Sequence, residues 1–342
     1  MGKTPSRSNP EYWNTGDNKW ISIADLSKCG KYICETKECI SDMAVKESGI
    51  SQIPANTVVM SFKLSIGKTA ITSENMYSNE AIMSFRDKHV VDLLPEYVYY
   101  LLQAHNWNEG TNKAVMGKTL NKATLSKIKV SIHSRKEQIE IINCLNTVMR
   151  IVNTRQQQLQ KLDELVKARF IELFGNPETN PKGWTRQRFD QICENLDSRR
   201  VPITSTDRKA GNYPYYGASG IVDYVEGYIF DEDILLISED GANLVMRSTP
   251  IAFSVSGKVW VNNHAHVVRF ETKATQKYIE ICFALTDISG SITGTAQPKL
   301  NQAKLNAMMF CVPPIELQEQ FAAFVEQTDK SKVVVQDEVN GL

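Results

Sequence analysis

Between residues 134 and 174 the chain runs without a single Gly or Pro, and its apolar residues keep one beat. Ile141, Leu145, Val148, Val152, Leu159, Leu162, Val166 and Leu173 recur at alternating spacings of four and three, with Arg155 and Arg169 standing in two of the same positions. This is a heptad seam, and it predicts one amphipathic helix from about Ser134 to Phe174. At about 1.5 Å per residue, roughly 40 residues make a rod of about 60 Å. Gly175-Asn176-Pro177 ends it, with Gly at the left-handed cap position and Pro just beyond. A stripe that long cannot be buried by its own helix. It requires a partner helix.

A second seam lies at the end of the chain. From about Ile315 onward, Phe321, Val325, Val335 and Val339 fall on equivalent positions, diluted by Thr328 and Lys332. The two seams belong to a repeat. Leu120-Asn-Lys-Ala-Thr-Leu-Ser-Lys-Ile-Lys-Val-Ser-Ile132 aligns without a gap with Leu300-Asn-Gln-Ala-Lys-Leu-Asn-Ala-Met-Met-Phe-Cys-Val312, and the same register continues to Gln138/Gln318 and Ile141/Phe321. Leu120, Asn121, Ala123 and Leu125 are matched identically by Leu300, Asn301, Ala303 and Leu305. The chain is two copies of one unit. Each copy closes with a short helix around Asn121 or Asn301, an extended apolar stretch and a long helix.

Ahead of each long helix lies a region without sustained helical periodicity, rich in Gly, Asn, Ser and short β-branched runs. Residues 57–60 and 70–72 read as strands in the first region, and residues 234–237, 251–255 and 266–270 in the second. The regions echo each other in fragments: Ser65-Ile-Gly-Lys68 against Val255-Ser-Gly-Lys258, and Asn79-Glu-Ala81 against Asn263-His-Ala265. The predicted class is α+β, with mixed α/β domains over 1–133 and 176–314 and long helices over 134–175 and 315–342. The first domain lacks an opening like Gly183-Trp-Thr-Arg-Gln-Arg-Phe-Asp-Gln-Ile192, and the second helix is about a dozen residues shorter than the first.

Composition narrows this picture only moderately. At 342 residues the chain accommodates two or three domains, and 42% apolar with 23% charged residues suits a globular protein. There is no run of 18 apolar residues and no apolar leader after Met1, so the expectation is a cytoplasmic protein. Met1-Gly2 with Ser6 resembles a myristoylation signal, which Lys3 and Pro5 argue against. Seven cysteines, an odd number, fit reduced thiols. Cys29, Cys34 and Cys39 lack the paired spacing of a zinc site, and no metal is expected. With 39 basic and 39 acidic side chains the net charge is zero, so any nucleic-acid surface must be a local patch. Gly67-Lys68-Thr69 looks like the tail of a nucleotide-binding loop. The Gly required five residues earlier is Phe62, and the echo at Gly257-Lys258 lacks the Thr hydroxyl, so the tripeptide reads as a turn between strands.

Two variable domains, each followed by a repeated long helix, resemble the specificity subunit of type I restriction–modification systems. The resemblance is carried by Gly2-Lys-Thr-Pro-Ser6 with Tyr12-Trp13, by the Leu-Asn…Leu block before each helix, and by Val312-Pro-Pro-Ile-Glu-Leu-Gln318. Leu162-Asp-Glu-Leu…Arg169-Phe-Ile-Glu-Leu-Phe-Gly175 belongs to it also. Tyr213-Pro-Tyr-Tyr-Gly217, Ile234-Leu-Leu-Ile-Ser-Glu-Asp-Gly241 and Trp260-Val-Asn-Asn-His-Ala-His266 add to it. It implies two target recognition domains, each reading one half of a bipartite site in double-stranded DNA, separated by helices that form an antiparallel coiled coil. It further implies a non-catalytic chain that binds no cofactor itself. Two modification (methyltransferase) subunits would supply S-adenosylmethionine, and restriction subunits would supply ATP and Mg2+ chemistry. The short opening and short second helix mark a truncated or rearranged member.

Base reading needs Arg, Lys, Asn or Gln at groove edges, and phosphate contacts need basic or amide donors on loops. The candidates are Arg7, Lys63, Lys68 and Lys118 in the first domain, and Arg199, Arg200, Lys258, Gln297 and Lys299 in the second. Tyr215-Tyr216 is either a stacking pair or a packed turn. His264 and His266 alternate on a strand and would face the same way, as metal ligands or, with no third ligand in view, as hydrogen-bonding partners. Arg155 and Arg169 pair either across the helices or with other subunits. A coiled-coil scaffold or anti-restriction variant that binds the partner subunits without reading DNA is the alternative, although zero net charge lacks the acidic bias of a DNA mimic. A self-contained methyltransferase wants an Asn/Asp-Pro-Pro-aromatic loop, and Asn212-Tyr-Pro-Tyr215 has the wrong second residue.

Overall fold

The computed structural model describes every residue except Leu64, 108–111, 115–116, 120–124, Lys127, Thr295 and Leu342, and describes no side chains over 112–114 and 117–119. Leu120, Asn121 and Ala123 of the repeat, and the side chain of Lys118, therefore lie outside the described residues. The chain divides into two compact units, Met1–Ile151 and Val152–Leu342. The division falls inside the long helix, not at its ends.

Unit 1 is built from β1 (Trp13–Ile21), β2 (Tyr32–Ile33), β3 (Glu38–Ile40), β4 (Val58–Ser61), β5 (Thr69–Thr72), β6 (Tyr77–Ser78) and β7 (Ile82–Phe85), followed by the hairpin β8 (Asn112–Ala114) and β9 (Gly117–Thr119). Its two main sheets have the orders β3-β1-β6 and β2-β5-β4-β7. Unit 2 contains β10 (Arg186–Arg188), β11 (Glu194–Asn195), β12 (Ala210–Gly217), β13 (Gly220–Val225), β14 (Phe230–Asp231), β15 (Ile234–Ser238), β16 (Ala252–Val255), β17 (Lys258–Val261), β18 (Ala265–Arg269) and β19 (Met309–Cys311). Its orders are β13-β12-β17-β14, β11-β18-β15-β16 and β10-β19.

The two units share one connectivity. β1 pairs antiparallel with β3 and parallel with β6, as β12 does with β13 and β17. β4 lies antiparallel between β5 and β7, as β15 does between β16 and β18. β4 and β15 are buried at every residue, so they read as short continuous apolar runs and are easily seen in sequence. The turn between β6 and β7 corresponds to that between β17 and β18, but Asn79 stands where Asn262 does, each accepting on Oδ1 from the N–H two residues on, so the echo of Asn79-Glu80-Ala81 in Asn263-His264-Ala265 is one residue out of step. The other echo is corrected: Gly67-Lys68 links β4 to β5, whereas Gly257-Lys258 links β16 to β17, so the two Gly-Lys pairs are not equivalent.

Helices also stand where none was expected. Pro95–Ala104 and Lys273–Leu285 pack on the sheets of their own units. In the second, Thr272 caps the N-terminus by accepting from Thr275 N–H. Ala274, Gln276, Tyr278, Ile279, Cys282 and Phe283 are all buried, so the helix sinks more than one face.

The long helix spans Arg135–Phe174. Ser134 and Glu137 exchange bonds at its start, and Gly175 closes it with φ +79°. A Cβ on Gly175 would stand 2.6 Å from the Pro181 ring, so both backbone and space favour glycine there. Its first half docks within unit 1 through polar groups. Gln138 Oε1 accepts from Leu94 N–H at 3.0 Å while its Nε2 donates to the carbonyls of Asp92 and His133. Further along, Asn146 Oδ1 accepts from Lys31 and Tyr100.

Within unit 2 the second half of that helix pairs with the C-terminal helix Ile315–Asn340. Arg155 bonds Glu338 at 2.7 Å, Asp163 bonds Lys332 at 2.8 Å, and Phe170 meets Phe321 at 5.5 Å between ring centroids. Numbers rise along one helix as they fall along the other, so the pairing is antiparallel. The seam positions Ile141, Leu145, Val148, Val152, Leu159, Leu162 and Leu173 are half-buried and Val166 is buried. The deepest side chains are Phe170 and Phe174, beside the seam. On the C-terminal helix Phe321, Val325 and Thr328 are buried. Arg155 is thus an ion pair across the helices, while Arg169 bonds Glu172 of its own helix and lies 5.9 Å from the Phe324 ring.

Truncating Phe321 to Ala should destabilise unit 2 by about 3–5 kcal/mol, the range for a buried Phe. Arg155→Ala, which opens a half-exposed pair, should cost less than about 1 kcal/mol. Urea unfolding of the full chain, followed at both units, checks the contrast.

Candidate nucleic-acid interface

Four segments of unit 2 converge at one end of its sheets: the end of β15 with Glu239-Asp240-Gly241, the Asn262–His264 turn, the turn Asp197–Arg200, and loop 293–300. Backbone bonds lock the loop to the strand end. Leu300 N–H donates to Glu239 O at 2.8 Å, Gly241 N–H to Pro298 O at 3.0 Å, and Thr293 and Lys299 exchange bonds at 2.8 Å. Gly294, at φ +80°, lets the loop turn back on itself. A Cβ there would stand 2.6 Å from Gln297 O.

Beneath the loop lies a charge network. Arg200 Nη1 donates to Glu239 Oε2 and to Ala265 O, each at 2.7 Å. Lys299 Nζ stands 3.1 Å from the other oxygen of Glu239. His266 is 1% exposed, with Nδ1 2.6 Å from Asp197 Oδ2 and Nε2 2.8 Å from Leu300 O. Burial pushes the Asp197 carboxyl up. The bond from His266, the Val267 N–H and the Arg200 charge outweigh it, and the group sits below its ordinary 3.8. Burial likewise pushes Glu239 up, and Arg200, His266 and Lys299 bring it below 4.5. Asp197, Glu239 and His266 are the one group among the described residues whose donor atoms come close enough to share a metal. Its carboxylates are paired with Arg200 and Lys299.

The sequence candidates divide between two ends of unit 2. Gln297 and Lys299 are exposed at the loop end just described. Arg200, the other candidate of the pair, is drawn into the network: its side chain is 14% exposed and bonded on Glu239 and Ala265. Arg199 turns towards the opposite end, where it bonds Glu232 at 2.7 Å over the Phe230 ring. Lys258 stands there too, 4.9 Å from the Tyr228 ring. The histidines do not face the same way. His266 points into the core, while His264 sits in the turn before β18, half-exposed and 2.9 Å from Asp240. Tyr215 is packed, its hydroxyl bonded to the Ile203 backbone, and Tyr216 lies half-buried beside Phe253.

In unit 1 the corresponding end holds Lys63 and Lys68. The pair Ser61–Ile82 matches the pair Ser238–Ala265, so β4 leads into Phe62 and Lys63 where β15 leads into Glu239 and Asp240, and Lys63 and Asp240 carry opposite charges at equivalent places. In the same register Glu80 stands where unit 2 has Asn263, and the buried Met83 where it has His266. The Gly67-Lys68-Thr69 turn closes on itself: Gly67 N–H donates to Ser61 O, Lys68 N–H to Ser61 Oγ, and Thr69 Oγ1 to Gly67 O. Lys68 Nζ reaches Ser27 Oγ. A Cβ on Gly67, at φ +89°, would lie 2.7 Å from Trp107, so the glycine serves the turn's packing. Arg7 is bonded at both ends of its fork to Glu38, at 2.5 and 2.9 Å, and stacked 3.7 Å from the Trp13 ring centroid.

Sequence reasoning passed over Asp197, Glu239, Asp240 and the network they build. Glu239 and Asp240 directly after an apolar strand are a visible sign, but Arg200 lies 39 residues from Glu239, and the partner of Asp197, His266, lies 69 residues from it.

Two copies of one mixed α/β unit, each followed by a long helix and each ending in differently charged loops, define a doubled recognition protein. The family described as "Type I restriction modification DNA specificity domain" matches the chain twice, over residues 1–164 and 181–338, and the chain belongs to that family, whose subunits specify rather than catalyse. A relative from Methanocaldococcus jannaschii, the type I restriction enzyme MjaIX specificity subunit, is 24% identical over 95% of this chain and 83% of its own length. A putative type I specificity subunit of Haemophilus influenzae is 33% identical over 40% of this chain. That match spans 35% of the relative, about a third of its length. The fold is similar to that of the M. genitalium type I S subunit, with TM-score 0.56 and 13% identity, covering 100% of this chain and 89% of the other. No helix among the described residues is long and apolar enough to cross a membrane.

Asp197 and Glu239 have folded values below their unfolded ones. Their stabilisation is therefore complete above the ordinary carboxylate range and is lost as pH falls through the folded values. The melting temperature of unit 2 should drop on acidification from about pH 5 to about pH 3. Glu239→Gln should lower it at neutral pH and flatten that slope. Thermal melts across this range check both.

Proposed function

We propose that this chain is the DNA-reading subunit of a cytoplasmic type I restriction–modification complex, each unit reading one half of a bipartite duplex site. The observation that carries the proposal is the doubled connectivity with unlike side chains at one equivalent end: Phe62, Lys63 and Met83 in unit 1, Glu239, Asp240 and His266 in unit 2. Two readers of one architecture and different chemistry suit two different half-sites. The loops at that end expose Gln297, Lys299 and Asn263, donor types that address base edges and phosphates. Methyl transfer with S-adenosylmethionine, and cleavage with ATP and Mg2+, belong in this reading to modification and restriction subunits. Ile139, Met149, Leu165 and Ile171 on the long helix and Val333 and Val334 on the C-terminal helix are exposed apolar side chains, which supports docking of such partners there.

The chain co-purified with its modification subunits should methylate DNA at a bipartite site that disappears from the host methylome when the gene is disrupted. Methyl transfer by the chain alone would refute the non-catalytic assignment. Partner binding without DNA binding would favour the scaffold reading. Lys63→Ala should weaken binding to all sequences and reduce the slope of log affinity against log salt by about 0.9, one phosphate contact. Gln297→Ala should relax base choice at one position by about 1–3 kcal/mol. Lys258→Ala, at the opposite end of unit 2, should change neither, as fluorescence anisotropy over a salt series would show.

A further inference from the structure

We infer that His266 is a positioning residue for the second recognition unit, clamping loop 293–300 in the shape that presents Gln297 and Lys299; this rests on the DNA-reading assignment above. Both ring nitrogens face oxygen acceptors, Asp197 Oδ2 at 2.6 Å and the Leu300 carbonyl at 2.8 Å. The imidazole therefore spans the gap between the Asp197–Arg200 turn and the end of the loop, with one ring nitrogen against each. Asp197 is itself fixed from β18, accepting from Val267 N–H at 2.8 Å. Glu239 completes the clamp, held by Arg200 at 2.7 Å and reaching Lys299 at 3.1 Å.

Unit 1 shows that the scaffold does not need this network. The equivalent of His266 is Met83 and the equivalent of Glu239 is Phe62, both buried. Five charged or ionisable groups brought together in one unit, where its twin buries apolar side chains, are poorly explained by stability. Desolvation of buried ion pairs offsets most of their attraction. They are well explained by a requirement for one loop geometry. Among the described residues, the backbone bonds of the loop run to Glu239, Gly241 and its own Thr293, all near its ends. His266 adds the tie from beneath.

The test uses the complex with modification subunits and a randomised duplex pool, from which the wild type selects its site. His266→Met copies unit 1. It should keep the fold by circular dichroism, speed amide exchange in 293–300, and lower base preference at one half-site roughly tenfold, the scale of one lost bidentate contact. Preference at the other half-site should be unchanged. His266→Gln, whose amide still donates towards Leu300 O or Asp197, should recover part of the loss, and carries the test by itself if the Met variant fails to fold. Full preference retained in either folded variant, or equal loss at both half-sites, would overturn the inference while leaving the DNA-reading assignment intact. A wild-type complex with no preference at all would overturn that assignment, and the inference with it.

Discussion

Unit 2 depends on an aromatic joint. Phe170 and Phe174 of the long helix, Tyr278 of the sheet-packing helix and Phe321 of the C-terminal helix meet with ring centroids 4.8–5.5 Å apart. Three elements from distant parts of the chain share this one cluster. It fixes the antiparallel direction of the helix pair and ties that pair to the globular part of the same unit. Flanking ion pairs, Arg155–Glu338 and Asp163–Lys332, are half-exposed and add register more than stability.

Unit 1 attaches its part of the long helix by a different chemistry. Gln138 and Asn146, with Lys31, Glu96 and Tyr100, replace aromatic packing by a net of directional bonds. The same substitution of means appears at the recognition end, where an apolar Met83 is matched by a hydrogen-bonded His266. One backbone plan thus tolerates apolar or polar filling at equivalent points, provided buried donors and acceptors are matched. That tolerance is what allows two recognition ends to diverge on one frame.

Much of the frame was legible in sequence because it is periodic or continuous. The heptad seam, the Gly175 stop and the apolar runs of β4 and β15 each leave a local pattern. β1 and β12 did not, since Trp13–Ile21 and Ala210–Gly217 are rich in Asn, Gly and half-exposed positions, and both carry irregular pairing. The helix Lys273–Leu285 was hidden for the opposite reason: it is buried on more than one face. The misaligned Gly-Lys echo shows how a tripeptide match misleads when strand order is unknown.

The sequence by itself determined the doubling, the helices and their seam, and the family, because these rest on residues close in the chain or on repeats along it. Only the tertiary structure decided which charged residues face outward. Arg199 and Arg200 are neighbours in sequence, yet one reaches Glu232 at one end of the unit and the other is drawn under loop 293–300 by Glu239. The fate of such side chains is set by partners tens of residues away, and those partners meet only when the strands pair.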